Sequence, residues 1–284
     1  MLPRKYALGC RHFLKIAVLC GIMSSIANGN EPIQWKFRKD ERVAIEVDQN
    51  SVIQESSRTE TKIRQRTSIV WDVIDVDSTG IATIEHKTQR VRLSVSEPKE
   101  ELSADSDTDT TASALHPKLQ GIWEIVIAPM KSTFRFRLNS LGNIVDYETS
   151  KTADTTDNLK VVVAFPKDGP KIGEPWTVQS QMEKDRSTLL LTTSYQLVGK
   201  ETVDGRDLSK IKTSTAFKLD KGSEAKLVNQ NAFGLIWFDP VQGKVARSEN
   251  HQEIGIELDK EGTTTTQSIQ QSTEISYRFE SMQR

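Results

Sequence analysis

The chain has 284 residues with 38 basic and 39 acidic side chains, and its net charge of −1 gives none of the positive footprint that nucleic-acid binding requires. Its only cysteines, Cys10 and Cys20, fall within the first 27 residues. Those residues read as a secretory signal peptide: Arg4, Lys5, Arg11 and Lys15 with no acid, an apolar run from Ile16 to about Ile26, then small residues.

That run of about a dozen residues is shorter than the roughly 20 a membrane span needs. Cleavage is therefore expected after Ala27, behind Ser25-Ile26-Ala27, with Ala27-Asn28-Gly29 as the alternative motif. Cys10 precedes the apolar core and Cys20 lies inside it behind Leu19, so neither stands where a lipid-anchor cysteine belongs. Removing 27 of 284 residues leaves 257, with 34 basic (38 less the four above) against 39 acidic, a net charge of −5. The mature chain has no thiol, which excludes disulfides, thiol catalysis and cysteine metal sites. No later segment reaches transmembrane length. The expected location is periplasmic, cell-surface or secreted.

From there on, apolar residues recur at every second position, the period of a strand with one buried face. Val43, Ile45 and Val47 alternate with polar neighbours, as do Ile69, Trp71 and Val73 before the parity shifts at Ile74 and Val76, the mark of a β-bulge. Val91, Leu93 and Val95 follow, then Phe134, Phe136 and Leu138. The second half repeats the habit in Leu189, Leu191, Tyr195 and Leu197, in Phe217 and Leu219, in Ile254, Ile256 and Leu258, and in Ile275, Tyr277 and Phe279. Turn signals separate these runs at Asp77-Ser78-Thr79-Gly80, Leu141-Gly142-Asn143, Asp204-Gly205, Gln242-Gly243-Lys244 and Glu261-Gly262, so a hairpin meander is expected. Leu115–Met130 reads as a short helix or a buried strand, and Asp154–Ala164 as a second helix candidate. The acidic tract 96–111, SEPKEELSADSDTDTT, has too little apolar surface to repay its ordering and is expected to be mobile. Pro166–Pro175 reads as a rigid connector.

Three landmarks recur in one order. Asp40-Glu41-Arg42-Val43, Trp71–Val76 before its glycine turn, and Phe136–Val145 are answered by Gly173-Glu174-Pro175-Trp176, Tyr195–Lys200 before Asp204-Gly205, and Ile236–Val245. A duplicated β unit follows, with a first repeat over 28–165 and a second over 166–284. The fold class expected is mainly β: two similar antiparallel meander sheets packed as a sandwich, or one continuous curved sheet or half-barrel, with one or two short helices. The aromatic-x-aliphatic-aliphatic strand before a glycine hairpin, the Gly-x-(Ile/Val)-Val hairpin and the Gly-Glu-x-Trp opening resemble an uncharacterised family of exported bacterial proteins, a domain of unknown function, over about Trp35 to Phe279. Asp40-Glu41 stands where that pattern has Gly-(Glu/Asp). The resemblance implies no activity and no site residues.

Chemical motifs are few. Asp75-Val76-Asp77-Ser78-Thr79 matches an aspartyl phosphoryl-transfer pattern but sits at a predicted hairpin tip, where Asp, Ser and Gly form turns. Asp105, Asp107 and Asp109 alternate as in a calcium loop, yet Thr110 and His116 stand where Gly and Glu belong. His86, His116 and His251 are far apart, and His86 and His251 fall on faces read as solvated, so no metal or cofactor is expected. The role expected is that of a non-enzymatic binding or interaction module for an envelope protein or an apolar ligand. One alternative is a lipid carrier whose groove between the sheets is lined by Trp71, Trp123, Phe136, Trp176 and Trp237; another is an uncharted enzyme. An apolar cavity lined by these aromatics would favour the carrier, and purely polar grooves over a closed core would count against it.

Overall fold

The computed structural model describes residues 32–55, 60–109, 111–131, 133–148, 162–184, 187–219, 225–260 and 263–281. The signal segment and most of the helix candidate at 154–164 lie outside them. The described chain is mainly β. In order it forms β1 (Glu41–Glu55), β2 (Thr61–Val76), β3 (Ala82–Glu97), β4 (Glu100–Asp105), helix α1 (Pro117–Ile127), β5 (Phe134–Leu138), β6 (Ile144–Glu148), β7 (Pro175–Lys184), β8 (Ser187–Val203), β9 (Arg206–Leu219), β10 (Ala225–Asp239), β11 (Lys244–Lys260) and β12 (Thr263–Ser281).

All 12 strands belong to one antiparallel sheet in the order β6-β5-β3-β2-β1-β12-β11-β10-β9-β8-β7, with β4 also on β3. Of the two architectures expected, the continuous curved sheet is the one the described residues form, rather than a sandwich. Successive strands are hairpin partners, as the turn signals predict. Two pairings join strands that are not successive: β3 with β5, from Ala82↔Leu138 to His86↔Phe134, and the first strand with the last, from Glu41↔Ser281 to Glu55↔Gln267. The sheet ends at β6 and β7, consecutive in the chain yet at opposite edges, so it does not close. The parity shift at Ile74 is a register shift between Val73 and Asp75 in the β2–β3 ladder.

The two halves carry matching devices. Asp40 and Gly173, both at positive φ, donate their N–H to the carbonyls of Val73 and Leu197, each at 2.9 Å. Register shifts fall at Val73/Asp75 and Leu197/Gly199, and again at Arg137/Leu138 and Trp237/Phe238. Asn139 and Asp239 each turn the next hairpin with their Oδ1, which accepts from Leu141 and Asn143 in one case and from Val241 and Gln242 in the other.

One face of the sheet, here the inner face, wraps a core of Val43, Ile45, Trp71, Ile84, Phe136, Leu197, Ile211 and Phe238 at one end of the strands. Two extended segments seal it. Trp35 donates its backbone N–H to Ser140 and its indole N–H to Val163, Lys36 donates to Gly243, and Phe165 donates to Leu141. Gly142 and Gly243, at φ +80° and +66°, make these approaches feasible: a Cβ would lie 2.0 Å from the Val163 oxygen in one case and 2.4 Å from Lys36 Cγ in the other.

Leu115–Met130 resolves as helix, α1 followed by a 3-10 turn at Ala128–Lys131. His116 caps it and Pro117 opens it, a position where the missing N–H costs nothing. The acidic tract corrects its expected mobility. Glu100–Asp105 pairs with β3 as a strand, and its charges are matched rather than merely solvated: Asp105 by Arg90 and Arg92, Asp107 by Arg90, Glu97 and Glu100 by Lys118. The hydrogen bond from Arg90 holds the Asp105 carboxyl below its ordinary range.

Candidate functional site

Strand alternation and the ladders place every second residue on the inner face. Beyond the sealed core these positions change character twice. The first step out is a belt of amides and hydroxyls: Gln65, Gln49, Thr273 and Asn250 lie in register across β2, β1, β12 and β11, with Ser51, Gln271 and Gln252 next to them. Gln252 donates to Gln271, Gln65 to Thr67, and Thr193 and Thr215 share a hydrogen bond of 3.0 Å across β8 and β9. The second step is apolar again. Ile53, Ile269 and Ile254 stand side by side, Ile256 faces Leu227, Leu191 faces Phe217 and Leu189 faces Leu219. These side chains are half-buried.

What covers this far apolar row differs between the halves. On β3, Val91, Leu93 and Val95 are sealed by Leu119 and Trp123 of α1 and by Ala104 of β4. Register identifies their counterparts. Val73 pairs with Ile84 and Leu197 with Ile211; counting outward from these pairs, Val91 corresponds to Phe217 and Leu93 to Leu219. In the first half the chain between β3 and β5 supplies β4 and α1, whereas β9 passes to β10 through residues 220–224 alone. Among the described residues α1 packs on β3 and β4, and no element covers the row on β8 to β12. The β9–β10 ladder also ends at Phe233↔Ser214; farther out, the Phe217 N–H donates to Gln230 Oε1 at 2.7 Å.

The five aromatics expected to line a groove are not brought together. Trp71 and Phe136 are fully buried in the main core with rings 5.5 Å apart, and Trp123, on α1, is fully buried against β3 and β4. Trp176 packs at the core's edge, stacked on Tyr195 and donating to the Ala164 carbonyl. Trp237 lies on the outer face beneath Lys210 and Arg247, because Ile236 and Phe238 take the inward positions of β10. Large rings gain most from complete burial, so they were spent on the core. Among the described residues the uncovered row is aliphatic apart from Phe217, and its sequence signal is the alternation at Leu189–Leu191, Phe217–Leu219 and Ile254–Ile256.

His86 also corrects its expectation of solvation. It shares the inward parity of Ala82 and Ile84, accepts the Trp71 indole N–H on Nδ1 at 3.0 Å and stacks on Phe134. Burial pushes its pKa down to about 4, so it is neutral. No carboxylate adjoins it in these contacts. His251 is exposed beside Phe233, and His116 caps α1. Asp77 sits at a hairpin tip as read from sequence, its Oδ1 accepting from Thr79 and Ile81 and its Oδ2 from Arg137. Asp105 and Asp109 are tied into their own turn.

Two pockets of about 310 and 370 Å³ open near β1 to β4, lined mostly by charged and hydroxyl groups such as Asp48, Arg66, Arg92 and Asp105. They belong to an outer face dense in ion pairs, where Arg64 and Arg66 grip Asp48 and lower its pKa. Neither is lined by the five aromatics. Among the described residues no helix is long and apolar enough to cross a membrane.

No family model and no curated protein matches the sequence. Among solved structures, lipovitellin, studied for its lipid–protein interactions, is similar at a TM-score of 0.54 and 12% identity, over 88% of this chain and 26% of that one. The chain thus spans about a quarter of lipovitellin's length, and the likeness is one of fold alone. A protein described as exported, with a YmcC-like fold, from Bacteroides fragilis aligns over 84% of this chain and 97% of its own at 12% identity, with a TM-score of 0.26. The hypothetical lipoprotein YmcC from Escherichia coli aligns over 92% and 96% at 10% identity, with a TM-score of 0.25.

Proposed function

We propose that this is an exported, non-enzymatic binding protein, built from two diverged copies of one β unit, that holds an apolar chain on the open half of its inner face. One observation carries the reading: among the described residues, nothing gives Phe217 and Leu219 the cover that α1 gives their counterparts Val91 and Leu93. An aliphatic row left to water is costly at roughly 25 cal/mol per Å², and an acyl chain is the simplest occupant that recovers that energy. The lipid interactions named for lipovitellin support the same reading. The signal-like residues 1–27 support export, and the paired devices of the two halves support duplication.

The test is native mass spectrometry of the protein purified from its own envelope, followed by binding of a fluorescent acyl probe to the delipidated chain. A co-purifying lipid and a probe displaced by Ile254→Asp are expected. A bare protein that leaves the probe in water overturns the reading. The free edge at β6, where Val145 and Tyr147 are exposed, favours a second reading, an envelope-protein partner added along that edge. A stoichiometric protein without lipid in the same spectrum would select it.

A further inference from the structure

Resting on that reading, we propose that the ligand is a lipid whose group next to its chains is uncharged and hydrogen-bonding, an ester, amide or sugar, and that the face rejects amphiphiles presenting a carboxylate or phosphate there. Charge complementarity carries the inference. On β1, β2, β3 and β8 to β12, the inward positions from the core to the aliphatic row hold no Asp, Glu, Lys or Arg among the described residues. The ionisable groups facing inward there are His86, Tyr195 and Tyr277, and burial keeps each of them neutral at ordinary pH. The charges of the same strands, such as Glu46, Asp48, Arg64, Arg92 and Arg247, point outward.

Such a face cannot pair an anion. Moving an ionised carboxylate against it forfeits hydration with no counter-ion in return, which is far more costly than burying a neutral polar group that finds hydrogen bonds. The belt supplies those bonds. Gln252 and Gln271 stand two residues inward from Ile254 and Ile269, about 7 Å along a strand. A chain lying on the aliphatic row would bring its first polar linkage to that depth. A glutamine amide carries two donors and two acceptor sites, so the bond between Gln252 and Gln271 leaves capacity for a ligand carbonyl or hydroxyl.

The experiment is competition for the acyl probe on the delipidated processed chain, using dioctanoylglycerol and octyl glucoside against octyl phosphate and octanoate. The neutral pair should displace the probe at least about tenfold more tightly than the charged pair. Equal displacement by both pairs overturns the inference while the apolar-ligand reading stands. Failure of the probe itself to bind removes the reading and this inference with it. Gln252→Lys, checked for folding by its melting profile, should shift preference toward the anionic pair. An unchanged preference in the folded variant places the ligand elsewhere and overturns the assignment of the belt. Should the variant not fold, the wild-type competition decides alone.

Discussion

The far inner face of the first half and that of the second are built on strands of corresponding register but finished differently. In the first, the chain between β3 and β5 returns as β4 and α1 and seals Val91, Leu93 and Val95 under Leu119 and Trp123. In the second, the chain crosses from β9 to β10 by residues 220–224, and Phe217, Leu219, Leu191 and Ile254 stay half-buried. The difference teaches that an apolar row becomes a closed core only where the chain provides an element to cover it.

The sharpest test of the comparison is truncation on both sides. Trp123→Ala should cost about 3–5 kcal/mol, the usual range for a fully buried aromatic, and Phe217→Ala no more than about 1–2 kcal/mol. Urea unfolding measures both, and equal costs would mean the second half is filled too. Next come the paired glycines. Gly142→Ala and Gly243→Ala combine positive φ with overlap on Val163 and Lys36 and should each cost about 3 kcal/mol, against about 1 kcal/mol for Gly80→Ala, whose Cβ meets nothing. Similar losses for all three would show that the sealing segments do not bear on the turns.

The halves should also differ in acid, because the first carries His86 where register gives the second Thr213. An unfolded histidine takes up its proton near pH 6.5, and the folded one only near pH 4. Stability is therefore lost as pH falls from 6.5 through 4, by about 3 kcal/mol in all. His86→Gln, which keeps an acceptor for Trp71 but does not titrate, should flatten that part of the stability curve. Identical curves for wild type and variant would refute the assignment. The smallest effect expected is at the acidic hairpin: Arg90→Ala should lower the urea midpoint only slightly, and less still in high salt, since the pair with Asp105 is partly exposed.

Local pattern carried the strands, the hairpin turns and the bulge at Ile74, because alternation and turn chemistry act over a few residues. The acidic tract looks mobile from its own composition for the same reason, since its partners Arg90, Arg92 and Lys118 lie on other elements. His86 was read as solvated because its neighbours are polar, although it shares the parity of Ile84. The aromatic groove failed because size says that a ring will be buried but not against what.

What the sequence determined by itself was a chain of amphipathic strands, each with one face that must leave water and turns that set where it reverses. Only the tertiary structure decided that β12 pairs with β1 to make one open sheet, and that among the described residues α1 seals the far row of one half while no element covers that of the other. The physical reason is that periodicity specifies which side chains seek burial, whereas the partner that buries them is chosen by long-range packing between segments far apart in the chain.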